Sequence, residues 1–320
     1  MTRKNPWLHR LLSIAAGTAL VSGLAASQSV ATQTAPTSGQ QATAACKAYS
    51  MSLTAAGDHI QRDFEATTPP TRITEIKGAT GVFPQVRLSS AMLAEPVDSG
   101  TLFSGWMVSG DSMYEVGYWA DQERKLVPGS LLKKRVGGGW SAFTEFETSR
   151  YYESTAPNAF RRINQYALRS DGTLFRWTMA GDSWTKPVSA AGFSSVRSMA
   201  LISQTRTYET FLATTKGGSL YTVHLPTDAT MKPTVKQISA QQNGWQSYID
   251  LIAQRCGQYG TLLLAIDRNF ASGKLFAIGR ANGMSTVIND LGWVAMEQFP
   301  DPVNFGWVSG LGVNPPLNGE

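Results

Sequence analysis

The chain has 320 residues, 42% of them hydrophobic and 16% charged, with 28 Lys and Arg against 23 Asp and Glu. Length and apolar content suit one closed domain with an ample core. A formal charge of only +5 argues against nucleic acid or an anionic membrane as partner, and the supply of 2 cysteines and 3 histidines is thin for a metal site.

Arg3, Lys4 and Arg10 form a basic start, residues 11–24 an apolar run, and Ser29-Val30-Ala31 a small-residue site for signal peptidase. This pattern predicts a signal peptide over residues 1–31 and a secreted, extracellular protein. The apolar run falls short of the ~20 residues a bilayer span needs. Removing the leader leaves 25 basic against 23 acidic side chains, which weakens the case for nucleic acid further. Residues 32–45, TQTAPTSGQQATAA, carry no charge and no aromatic ring and are expected to be a flexible spacer. The domain then runs over 46–320. In an exported protein the even pair Cys46 and Cys256 is expected to form a disulfide that pins the start of the domain. Lipidation of Cys46 is disfavoured, because it lies too far beyond the apolar run.

A short module recurs along the domain: a glycine, then an aromatic or bulky apolar residue, then another apolar residue three places on. Its copies begin at Gly81, Gly139, Gly192, Gly244 and Gly292, spaced by 58, 53, 52 and 48 residues. Between the copies lie strand, turn, strand patterns. The clearest, residues 166–177, alternates apolar and polar side chains about Asp171-Gly172, a favoured hairpin turn. Related hairpins are expected over 49–61, 107–116, 212–223 and 263–278. A period near fifty in a strand-rich chain predicts an all-β fold: a five-bladed β-propeller with four-stranded antiparallel blades. The run Phe305–Leu311 reads as a lone C-terminal strand that pairs near the start of the domain and closes the ring. The first strand of each hairpin is expected to be innermost.

Residues 166–177 (YALRSDGTLFRW) and 136–143 (VGGGWSAF) resemble the blade signature of tachylectin-like β-propellers. The resemblance implies a lectin-type domain that binds carbohydrate, N-acetylated sugars in particular, in pockets between adjacent blades. The ligand candidates on this reading are the module aromatics Trp140, Phe193, Trp245 and Trp293, whose rings suit stacking on sugar faces. The competing role for the same rings is packing between blades. Phe193 also lacks the N–H that Trp donates.

No cofactor or metal is expected, since His59 and His224 stand alone and no set of ligands has metal-site spacing. No serine sits in a nucleophile-elbow context. A glycosidase needs two carboxylates held close together. The expected inner strands, 49–53, 106–109, 166–169, 212–215 and 263–266, contain no Asp or Glu, so no enzymatic activity is expected. The overall expectation is a monomeric, secreted, carbohydrate-binding propeller. A scaffold that has lost its sugar sites stands as the alternative, and a secreted glycoside hydrolase as the second.

Overall fold

The structure, a computed structural model, describes residues 46–156, 158–239, 244–294, 298–310 and 316–320. The expected signal peptide and spacer lie outside these residues. Within them the fold is all-β, and no helix occurs.

The strands fall into sheets in chain order. The first holds β1 (Lys47–Leu53), β2 (His59–Glu65) and β3 (Thr71–Lys77). The second holds β4 (Val86–Ser89), β5 (Met92–Val97), β6 (Gly100–Ser109), β7 (Ser112–Ala120) and β8 (Leu132–Gly138), with β4 and β5 both pairing with β6. The third holds β9 (Phe143–Tyr152), β10 (Arg161–Arg169), β11 (Leu174–Ala180) and the short β12 (Ser183–Trp184) and β13 (Val188–Ala190). The fourth holds β14 (Val196–Gln204), β15 (Tyr208–Thr215), β16 (Leu220–Pro226) and β17 (Thr234–Ser239). The fifth holds β18 (Tyr248–Cys256), β19 (Gly260–Asp267), β20 (Ser272–Ile278) and β21 (Ile288–Trp293). Neighbours within each pair antiparallel; β12 and β13 of the third both pair with β11. The last strand, β22 (Val303–Ser309), leaves this order: it pairs antiparallel with β1 and parallel with β5, and so joins the first two groups into one nine-stranded sheet. The C-terminal strand expected to pair near the start of the domain therefore does so, and it gives the first sheet its fourth strand.

All five hairpins lie where the alternation places them, as β1–β2, β6–β7, β10–β11, β15–β16 and β19–β20. Their position within the sheet differs from expectation. The strand after each glycine-aromatic turn does not finish one sheet. It begins the next, and the hairpin's first strand is second in line. Pairing in the hairpin is local and shows in sequence, whereas the partner of the strand after the turn is decided by long-range pairing.

The core lies between the sheets, in clusters that each draw on two neighbours. Met51 and Leu53 meet Phe103 and Met107; Trp106 and Val108 meet Phe146 and Ala167; Leu168 and Leu174 meet Phe211 and Val223. Leu212 and Leu220 meet Leu263 and Ile278; finally Leu262 and Leu264 of the fifth sheet meet Ala48 and Phe64 of the first. The sheets thus pack in cyclic order. Strand alternation explains the sequence of the middle strands: on β19, Leu262, Leu264 and Ile266 face one neighbour, and Leu263 and Ala265 the other. A strand covered on both sides reads as a continuous apolar run.

The repeated module is a docking device. The N–H after the module glycine donates to a carbonyl of the hairpin turn in the same sheet: Val82 to Gly57 (3.0 Å), Trp140 to Asp111 (3.1 Å), Phe193 to Gly172 (2.9 Å) and Trp245 to Gly218 (3.4 Å). A Cβ on Gly172 would come within 2.3 Å of Ser194 N, and one on Gly57 within 2.5 Å of Pro84 N, so the close approach needs glycine at the hairpin tip. The fifth copy is displaced by one residue. Val294, not Trp293, donates to Gly273 (2.9 Å), so the turn hydrogen bond falls two residues after the module glycine instead of one. Disulfide-bonded Cys46 and Cys256, with Cα atoms 5.4 Å apart, join the residue before β1 to the end of β18.

Candidate functional site

The first strands of the sheets and β22 surround a cavity of about 840 Å³. β4, β9, β14, β18 and β22 contact one another in turn around it. They, and not the strands expected from sequence, are innermost. The true inner strands bring Glu145, Glu147 and Asp250 to the cavity.

These residues sit at a fixed register. Arg87, Glu145, Ser198 and Asp250 each follow their module glycine by six residues, and β22 supplies Asn304 beside them. Links run around this layer from strand to strand. Arg87 donates to the carbonyls of Phe143 and Trp140, Ser198 Oγ to Glu145 Oε2 at 3.2 Å, Met199 N to the same oxygen at 3.3 Å, and Asn304 Nδ2 to Asp250 Oδ2 at 3.1 Å. Two residues further along lie Ser89, Glu147, Ala200, Ile252 and Gly306. Arg150 and Tyr152 line the far part, where Arg150 donates to Ala91 O at 3.0 Å and stacks over Trp106 at 5.1 Å.

The enclosure changes the protonation of the acids. Burial holds Glu145 well above the ordinary range, and the Asp250 charge adds to it against the opposing bonds from Met199 N and Ser198. Burial pushes Glu147 up to about 8, opposed by Arg150. Asp250 is also raised by burial, against its bond from Asn304 and the Arg268 charge. Burial disfavours the charged form in each case. A carboxyl kept neutral both donates and accepts a hydrogen bond, as a sugar hydroxyl does. Arg87 and Arg150 add donors, and Tyr49 and Phe146 add apolar lining.

The four aromatic candidates do not converge on this cavity. Trp140, Phe193 and Trp245 are 5%, 5% and 3% exposed and belong to three different inter-sheet clusters. Trp140 packs on Phe143 with ring centroids 4.8 Å apart, and Trp245 on Phe276 at 4.7 Å. Burial leaves those rings no open face for a sugar. Trp293 is 42% exposed because the displaced register puts Val294 in the buried place. Its ring lies 6.4 Å from Phe270, with Lys274 Nζ 5.4 Å above it.

His59 is buried, donates or accepts at Tyr118 OH over 2.7 Å, and is lowered to about 3 by burial, so it is a neutral core residue. Among the described residues no group of three or more His, Cys, Asp or Glu is placed to hold a metal ion.

No protein-family model matches the sequence, and no curated protein matches it. Solved structures with similar shape include the Aleuria aurantia fungal lectin, described as a six-bladed β-propeller with a novel fucose recognition mode. It is 13% identical, with 82% of this chain and 84% of that chain covered and a TM-score of 0.46. They also include the BP39L lectin from Burkholderia pseudomallei (13% identical, 72% and 57% covered, TM-score 0.35). A third is the WD40 domain of SCAP from fission yeast (10% identical, 73% and 52% covered, TM-score 0.32). Identities and scores this low leave blade number and ligand to the chain's own geometry.

Proposed function

We propose that this chain is an exported five-bladed β-propeller, closed by β22, that binds carbohydrate in its central cavity without catalysis. The observation that carries this reading is the cavity itself: five inner strands each present a polar side chain at one layer, two of them acids that burial pushes toward the neutral form. Neutral carboxyls, amides, hydroxyls and guanidinium groups in one enclosure supply the donors and acceptors that the hydroxyls of a polyol need. The cyclic packing of five hairpin units supports the blade count, and the signal pattern with the disulfide supports export. The ligand site moves from the inter-blade aromatics to the centre, with Trp293 kept as the only exposed ring of the four.

The test is a glycan array, N-acetylated sugars included, with wild type beside Glu145→Gln and Asp250→Asn. Saturable binding that either variant weakens at least tenfold is expected. No binding to any glycan sinks the proposal.

The acids on the true inner strands give specific support to one second reading, a glycoside hydrolase. That reaction needs one protonated and one ionised carboxyl. Here burial raises Glu145, Glu147 and Asp250 together, which supplies acids but sets no partner apart as base or nucleophile. Release of nitrophenol from aryl glycosides, abolished by Glu145→Gln, would favour hydrolysis over binding.

A further inference from the structure

A second cleft, of about 700 Å³, opens between the fourth and fifth sheets and shares no lining residue with the central cavity. On one side stand Tyr208, His224, Thr234 and Lys236; on the other, Arg280, Asn282 and Ser285. The Glu320 side chain enters it. Its Oε2 lies 2.6 Å from His224 Nδ1 and accepts from Thr210 Oγ1. The His224 ring is stacked on Tyr208 at 4.3 Å, which fixes the imidazole toward the carboxylate.

The approach of Glu320 is built rather than incidental. Gly319 N donates to Ile202 O at 2.8 Å, and Ala281 N donates to Gly319 O at 2.7 Å, so the strand end is threaded between the two sheets. A Cβ on Gly319 would fall 2.5 Å from Thr261 Oγ1, and only glycine passes there. The carboxylate it delivers leaves the cleft under-neutralised. Among the described residues neither Lys236 nor Arg280 forms an ion pair, and Arg280 rests over the Tyr259 ring at 5.1 Å. Lys236 and Arg280 thus stand beside the hydroxyl and amide groups of Thr234, Asn282 and Ser285, while the Glu320 side chain bonds to His224 and Thr210 instead.

We propose that this inter-sheet cleft is a binding site for a small hydroxylated carboxylate of the hexuronate class, held by Lys236 and Arg280 beside the Glu320 side chain. Arg280 suits the ligand carboxylate by its planar fork and Lys236 by its charge. The neutral donors suit the hydroxyls, and the Tyr208–His224 stack forms a wall for the ring. The ligand competes with Glu320 for the same positive field, so the native carboxylate weakens binding.

The experiment is a calorimetric titration of the protein with D-glucuronate and, as a neutral control, D-glucose. Saturable glucuronate binding is expected in the wild type, at least fivefold tighter in Glu320→Gln, and at least tenfold weaker in the Lys236→Ala/Arg280→Ala double variant. Glucose should show no heat that the double variant removes. Urea midpoints of the variants, measured alongside, separate a lost site from a lost fold. The absence of glucuronate binding in both wild type and Glu320→Gln overturns the proposal, as does binding that the double variant leaves intact. Loss of glucuronate binding in Glu145→Gln overturns it too, because it places the ligand in the central cavity. The central reading stands or falls separately on the glycan array.

Discussion

Replacing Glu147 by glutamine should flatten the pH dependence of stability. The carboxyl lies in the cavity wall, and its folded form keeps its proton to about pH 8, from an ordinary value of 4.5. Between those values the unfolded chain has lost the proton and the folded chain retains it. The folded state then binds more protons, so the free energy of unfolding falls as pH rises, by up to ~1.4 kcal/mol per pH unit for one group. The stabilising contribution is whole below pH 4.5 and is lost as pH climbs toward 8. The side chain touches a cavity open to water and sits near Arg150, which reduces the effect, so a loss of about 1–3 kcal/mol between roughly pH 5.5 and 7.5 is the expected share of this residue. Glutamine keeps the shape and cannot ionise. Urea unfolding at several pH values should therefore show wild type losing about 1–3 kcal/mol more than Glu147→Gln over that interval. Parallel curves for the two proteins would refute both the enclosure of Glu147 and the neutral-carboxyl account of the cavity.

Glu209 is fully buried and accepts from Arg162 (2.9 Å), Ser149 (2.5 Å), Asn164 (2.9 Å) and Tyr166 OH, joining the third and fourth sheets. Glu209→Ala strands a buried guanidinium and should cost about 3–5 kcal/mol in urea unfolding; a loss under ~1 kcal/mol refutes the network's importance. Reduction or Cys46→Ser opens a cross-link with a sequence separation of 210, and should cost about 3–5 kcal/mol. Two free thiols in the unreduced, denatured protein would contradict the bridge. Trp140→Ala should cost about 3–5 kcal/mol as a core truncation, while the exposed Trp293→Ala should stay within ~0.5 kcal/mol. Equal losses would refute the displaced register of the fifth module.

Much of the architecture is legible in the chain because its signals are local. Asp171-Gly172 marks a hairpin through its own backbone preferences, and the same alternation recurs wherever a hairpin stands. The closing strand shows as a copy without a following hairpin. The site was less legible. Position six after the module glycine carries Arg87, Glu145, Ser198 and Asp250, a polar signal within apolar strands that a position-by-position alignment of the copies exposes. That signal does not say which strand lies at the centre, which pairing between distant segments decides. The fifth module reads like the others, yet its turn hydrogen bond is made one residue later, by Val294, and Trp293 faces outward. Register of this kind depends on the partner strand, and a one-residue slip moves a side chain to the opposite face.

The sequence by itself determined the repeat, the strand pairs, the cysteine pair and the all-β class, since each follows from neighbouring residues or from composition. Only the tertiary structure decided which strand of each unit is innermost, and hence that Glu145, Glu147 and Asp250 share one cavity while Trp140, Phe193 and Trp245 are core. The physical reason is that pairing across sheets and burial between them are set by contacts some fifty or more residues apart. Burial, and then the Asp250 charge, raise the proton affinity of Glu145 only after those contacts have enclosed the cavity.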